Sequence, residues 1–332
     1  MIGVLVGDYV GSRFEFAPFK SKDFDLVHPD CVYTDDSLMT VALADAIARG
    51  DTNHAEAMRR VGREHVTSYG PAFWTWLTTP EMGPYGSWAN GSSMRVSPAA
   101  VFARDIGECL ELARATAEVT HDHPEGVRGA QATAAAIFAA RSGWSQAETR
   151  AMVADRFGYP MDEDVDRIRE HAVFELKSWI SVPQALTCAF EATSFEDAIR
   201  NAVSIGGDAD TQAAIAGSVA QWWFPVPDDL RDAALARLPE EIRDMFLAAE
   251  AKAVASGFVP LDREGVDAIP RWDPDEVRRW LERTGKVDAD AARELERWEE
   301  IERQVNAMPP RRETVRERLS RAWRGWRSRQ AR

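Results

Sequence analysis

Apolar residues in this chain recur at helical spacing, and no convincing period-2 run with hairpin turns accompanies them. Residues 37–49 (SLMTVALADAIAR) place Leu38, Val41, Ala42, Leu43, Ala46 and Ile47 in one apolar helix, with Gly50 positioned to end it. Residues 129–141 (GAQATAAAIFAAR) form an alanine-rich helix whose small side chains allow close approach of a neighbour. Residues 213–223 make a third apolar helix, and further helices are expected near 54–67, 104–118, 145–156, 163–174, 182–193, 195–203 and 228–250. A chain patterned this way is directed to an all-α fold, a compact multi-helix domain with functional loops threading between helices.

The pattern breaks after Ser256. The segment 257–276 (GFVPLDREGVDAIPRWDPDE) is rich in proline, glycine and charge and reads as a connector across the surface. The expected division is a main domain over residues 1–258 and a charged helical C-terminal extension over 259–332, with helices near 274–282, 289–307 and 313–329. In the extension Leu295, Trp298, Ile301 and Val305 form a stripe that reads as a packing face.

An apolar fraction of 45% is enough for a sizeable core. Cys31, Cys109 and Cys188 are too widely spaced for a disulfide framework or a Cys-x-x-Cys zinc pattern, which fits a reducing compartment. With no basic leader and no apolar run of about 18 residues, the expectation is a cytoplasmic protein. The formal charge of −14 argues against general nucleic-acid affinity, although residues 309–332 carry nine arginines against two glutamates.

Two acidic clusters carry the chemistry. Thr34, Asp35 and Asp36 open one helical run; Asp208, Asp210 and Thr211 open another. Each alone reads as a helix N-cap, because Asp and Thr accept hydrogen bonds from free N–H groups and acids favour the positive helix end. Caps do not require the same acid-plus-threonine pattern twice. Brought together, the clusters offer the all-oxygen donors that hard divalent cations such as Mg²⁺ take. Glu15, in the glycine-punctuated segment GDYVGSRFE, is a third acid of interest. The segment NGSSMR (residues 90–95) is a small-residue loop whose backbone N–H groups suit phosphate, and Arg95 could pair with phosphate or with a carboxylate. In THDHP (residues 120–124) His121 and His123 lack a third nitrogen or sulfur ligand nearby, so a substrate-contacting or hydrogen-bonded histidine is expected rather than zinc.

Taken in order, GDYVGSRFE, TDDS, NGSSMR, THDHPEGVRGAQA and GGDADT resemble the ADP-ribosylglycohydrolase family over roughly residues 1–225. The resemblance implies a compact all-α fold with a cleft holding two Mg²⁺ ions, or Mn²⁺ in some members. By its motifs Thr34, Asp35 and Asp36 would supply metal ligands from one side and Asp208, Asp210 and Thr211 from the other. Glu15 would serve metal binding or catalysis, with Asp35 and Asp210 as the other catalytic acids. Asn90, Gly91, Ser92, Ser93 and Met94 would meet the phosphates of the ADP part, with His121 near ribose or phosphate. Tyr85, Trp88 and Phe16 are candidates to stack on adenine. Two departures are visible, Ala89 and Ala209, where many members carry glycine and threonine respectively.

The function so implied is hydrolytic release of ADP-ribose from a modified target, most often arginine on a protein, through an oxocarbenium-like carbon. The partner is an ADP-ribosylated protein or an ADP-ribose-containing small molecule. A competing reading is an interaction or immunity protein that uses this fold as a scaffold and binds its partner through the basic C-terminal helices, since a basic helix with tryptophans on one face also suits an anionic surface.

Overall fold

The computed structural model describes residues 1–255 and 258–285. Among these residues the fold is all-α, as expected: seventeen α-helices, a single 3₁₀ turn at Ser12–Phe14, and no strand beyond a lone bridge between Ala89 and Lys177. The stripe at Leu295–Val305, the basic stretch 309–332 and the helices expected in both lie outside the described residues.

At the centre, two helices meet backbone to backbone. The glycine-punctuated segment belongs to a helix, Ile2–Gly11, that was not among the expected ones, and all ten of its residues are buried. It packs along Ala209–Ala220, whose twelve residues are likewise all buried. A helix that is apolar all round has its place in the core. The close approach has a simple cause. Gly3, Gly7 and Gly11 recur every four residues on one face, opposite Ala209, Ala213 and Gly217. A Cβ on Gly7 would lie 2.1 Å from the Ala213 carbonyl oxygen, and one on Gly3 would lie 2.1 Å from that of Gly217. This contact sets Asp8, near the end of one helix, beside Asp210, near the start of the other.

The remaining helices surround this pair. Asp35–Ala48 lies against Ile2–Gly11 and is backed by Glu240–Ala255, which buries Ile242, Phe246 and Ala249. The alanine-rich run expected at 129–141 extends back to Pro124 and forms the helix Pro124–Arg141, with fifteen of its eighteen residues buried. The helix expected over 228–250 is two helices, Asp228–Arg237 and Glu240–Ala255. Pro239 stands at the break; it lacks an N–H and drives the residue before it out of the helical region, and Leu238 is accordingly extended.

Residues 258–285 run along the body as a strap. Phe258 packs on Phe138 and under the Arg141 guanidinium. The Val259 N–H donates to the Arg104 carbonyl and the Trp272 N–H to that of Arg156. The strap ends in the helix Glu276–Thr284, whose one buried residue, Trp280, stacks edge-on against His123. None of the described helices is long and apolar enough to cross a membrane.

Candidate active site

Six carboxylates converge at the ends of the central helices. Asp8 comes from Ile2–Gly11, Glu15 from the turn after it, Asp35 and Asp36 from the start of Asp35–Ala48, and Asp208 and Asp210 from the start of Ala209–Ala220. Side-chain oxygens of Asp8, Asp36 and Asp210 lie within 4.8 Å of one another, as do those of Glu15, Asp208 and Asp210, so Asp210 joins two groups. None of the six is ion-paired among the described residues. Five of them line a cleft of about 240 Å³ whose other walls include Ser68–Phe73, Tyr85, Asn90, Gly91, Met94, Arg95, His121, Phe174 and Leu176, with Phe16 at the edge; the sixth, Asp8, lies behind the lining.

Thr34 is the N-cap of Asp35–Ala48, its hydroxyl accepting from the Asp36 N–H at 3.3 Å, so the cap reading holds for the first cluster. The same hydroxyl donates to Asp8 at 2.8 Å. Asp8 also accepts from the Thr34 N–H and from the N–H and hydroxyl of Ser37. Both Asp8 oxygens are thereby engaged, and this buried carboxylate holds the helix start that presents Asp35 and Asp36. The second cluster is no cap: Asp208 occupies the N-cap position without a side-chain cap bond and instead accepts from the Asn90 amide at 2.8 Å. Thr211 lines the cleft, with its hydroxyl against the Met94 sulfur.

Electrostatically the cluster is costly, because its carboxylates are buried close to one another. Burial raises the carboxyl of Asp36 well above the usual range, and the charges of Asp210, Asp8, Asp35 and Asp208 raise it further. Asp210 is raised by burial and then by Asp208 and Asp8. Glu15 is pushed up to about 12 by burial and by Asp210, Asp208, Asp35 and Asp36, and Asp35 to about 7, chiefly by burial. For Asp8 and Asp208 burial also raises the pKa, opposed by their hydrogen bonds. Burying several like charges without partners is costly unless protons or metal ions neutralise them. The Asp36 Oδ1 atom is buried with no hydrogen-bond partner. All-carboxylate groups with no histidine or cysteine suit a hard divalent cation, and the residues therefore fit one.

The phosphate-loop residues divide. Asn90 and Gly91 line the cleft, as does Met94, whereas the Ser92 hydroxyl donates to the Gly126 carbonyl and Ser93 is buried without a partner for its hydroxyl. The N–H groups of Asn90, Ser93 and Met94 are bonded to backbone carbonyls of Leu176 and Asn90; those of Gly91 and Ser92 are not engaged by any described backbone carbonyl. Arg95 is buried and pairs with no carboxylate among the described residues, donating instead to the Gly91 carbonyl and the Thr120 hydroxyl. His121 reaches the cleft, while His123 caps Pro124–Arg141 and turns to Trp280, so the two histidines serve different places. Tyr85 and Phe16 line the cleft; Trp88 packs on Trp179 and is not part of its wall.

Asp8 and the aromatic wall of Tyr69, Phe73 and Phe174 were not singled out from the sequence. The four-residue glycine spacing was the available signal for Asp8, since it marks a helix face and so a fixed direction for the acid.

A family model described as ADP-ribosylglycohydrolase matches residues 1–245. The chain is 28% identical over 257 residues to ADP-ribosylarginine hydrolase Tri1 of Pseudomonas putida, covering 66% of this chain and 68% of that protein. It is 25% identical over 305 residues to ADP-ribosylhydrolase ARH3 of Mus musculus, covering 68% of this chain and 82% of the relative. A solved structure described as an ADP-ribosylglycohydrolase-related protein complex superposes with a TM-score of 0.59 at 23% identity, over 76% of this chain and 95% of that one, a likeness of fold.

Proposed function

The chain belongs to the ADP-ribosylglycohydrolase family and is a glycosyl hydrolase, and on that premise we propose that it removes ADP-ribose from ADP-ribosylated arginine on protein. The observation that carries the proposal is the convergence of six carboxylates without a paired base at a cleft with an aromatic wall.

In this reading Asp36, Asp208 and Asp210, with Asp35, Glu15, Thr34 and Thr211 around them, would hold two Mg²⁺ ions. Such ions would supply Lewis acidity toward sugar hydroxyls and a nearby water. The chain's own residues do the rest. Asp8 holds the Thr34–Ser37 turn so that Asp35 and Asp36 face the cleft, and Asn90 holds Asp208. The bond from ribose C1″ to the arginine nitrogen breaks as positive charge grows on the carbon, and the buried carboxylates balance that charge. Glu15, which lies with Asp208 and Asp210 at the cluster, takes the proton of the attacking water, and the guanidine leaves with the electron pair of the C1″–N bond and takes up a proton. The amides of Gly91 and Ser92 receive the diphosphate, beside Asn90, Met94 and His121. Tyr85 or Phe16 stacks on adenine.

The test is release of ADP-ribose from a panel of substrates modified on arginine, serine or a nucleic-acid base, with EDTA and with added Mg²⁺ or Mn²⁺. Mg²⁺-dependent release from arginine is the expected result, and release from serine alone would overturn the assignment of the acceptor. Glu15→Gln should lower turnover more than ADP-ribose affinity. Equal loss of both would remove Glu15 from the proton's route.

A further inference from the structure

Behind the Gly91 edge of the cleft runs a buried chain of three side chains. Arg95 is 1% exposed, Thr120 0% and His121 4%. The Arg95 Nη2 group donates to the Thr120 hydroxyl at 2.7 Å, and that hydroxyl lies 2.7 Å from His121 Nδ1. The same Nη2 is 3.4 Å from Nδ1, and Nη1 donates to the Gly91 carbonyl at 2.9 Å.

The direction of this chain follows from donor counting. A guanidinium has no acceptor, so the Thr120 oxygen must accept from Arg95. The Thr120 hydrogen then has a single acceptor among the described residues, His121 Nδ1. Were Nδ1 protonated, it would face the guanidinium as donor against donor, and the buried Thr120 hydrogen would be stranded without an acceptor. Burial, then the Arg95 charge, lowers the His121 pKa well below its ordinary value, so the ring is neutral. The proton of a neutral ring with Nδ1 as acceptor resides on Nε2. That atom faces Gly91, where a Cβ would lie 3.2 Å from it.

From this geometry we infer that Arg95 and Thr120 are positioning residues that lock His121 as a donor through Nε2–H, aimed at an anionic oxygen of the ligand seated over Gly91. His121 is thereby neither a general base nor a metal ligand in this protein. The absence of a side chain at Gly91 leaves room for that oxygen. The inference rests on the proposed reading only for the ligand's identity as the diphosphate of ADP-ribose.

Two measurements test it. In the ligand-free protein, ¹⁵N–¹H correlation of the histidine rings, with His121 assigned by its loss in His121→Gln, should show Nδ1 unprotonated and Nε2 carrying the proton. A protonated Nδ1 overturns the inference without any reference to activity. Thr120→Val leaves the Arg95 guanidinium alone to hold Nδ1 as an acceptor, so the Nε2–H tautomer should persist while the ring loses its fixed orientation and ADP-ribose binding weakens about tenfold, the worth of one hydrogen bond to a charged oxygen. It should raise KM more than it lowers kcat, and Thr120→Ser should restore the affinity. An unchanged affinity in a folded Thr120→Val protein would overturn the inference. If wild-type protein shows the Nε2–H tautomer yet binds no ADP-ribose, the lock stands and the substrate reading fails.

Discussion

Two depressions on this molecule are rich in charge, and they treat it in opposite ways. The larger, about 470 Å³, lies between Ile106–Glu118, Pro124–Arg141 and the strap. There Arg128 is ion-paired with Glu125, donates to the Phe157 carbonyl and is sandwiched between the rings of Tyr159 and Trp272. Arg114 pairs with Glu118, and Arg279 with Asp273 and Glu276. The smaller, about 240 Å³, holds carboxylates buried together with no paired base. Compensated charge fastens the strap to the body. Uncompensated charge is retained where a ligand completes it, and this is why the smaller depression is the one we propose as the reactive site.

The sharpest way to break this contrast is to neutralise one acid in the cleft. Asp210→Asn should lower turnover by about a thousandfold or more, since a transition-state contact of this kind is worth that much. It should also raise the melting temperature of the metal-free protein, because one of several repelling carboxylates is gone. A folded variant that hydrolyses at the wild-type rate would end the reading of the cluster.

The opposite signature is expected at the larger depression. Arg128→Met strands Glu125 and empties the sandwich between two rings, a destabilisation of about 3 kcal/mol with kcat little changed in the folded fraction. Denaturant unfolding beside steady-state kinetics separates the two effects, and a large fall in kcat with unchanged stability would place Arg128 in catalysis.

A third expectation concerns pH. The cluster's carboxyls have folded-state pKa values above their unfolded ones, Asp35 at about 7 and Glu15 at about 12. The folded metal-free protein therefore binds more protons than the unfolded chain above the ordinary carboxylate range. The contribution is fully present below about pH 4 and is lost as pH rises through the raised values. In EDTA the melting temperature should thus fall by several degrees between about pH 5 and pH 8. Saturating Mg²⁺ should flatten that slope, and an EDTA profile that rises over the same interval would contradict it. The smallest effect belongs to the exposed Arg114–Glu118 pair, where Glu118→Gln should change stability by less than about 0.5 kcal/mol in thermal unfolding.

The division between legible and illegible features follows from what each depends on. The helices at 37–49 and 129–141 were readable because local spacing of apolar residues produces their buried faces. The break at Pro239 was missed although the residue was in plain view, because the apolar pattern continues across it. Of the site, Glu15, Asp35, Asp36, Asp208, Asp210 and Thr211 all line the cleft, and Thr34 is the cap just behind Asp35. The hydroxyls of Ser92 and Ser93 are turned inward by tertiary packing, and of their backbone N–H groups, the groups expected to meet phosphate, that of Ser93 is bonded to the Asn90 carbonyl.

By itself, the sequence determined the helical class, the family, and which carboxylates belong together, because these reside in residue type and order. Tertiary structure alone decided that Asp8 joins them, since that requires Gly3, Gly7 and Gly11 to let one helix touch another. It also decided the direction of His121 and the separation of His121 from His123. A hydrogen bond's sense depends on which donor stands behind it, and Arg95 reaches Thr120 from 25 residues away only in the folded chain.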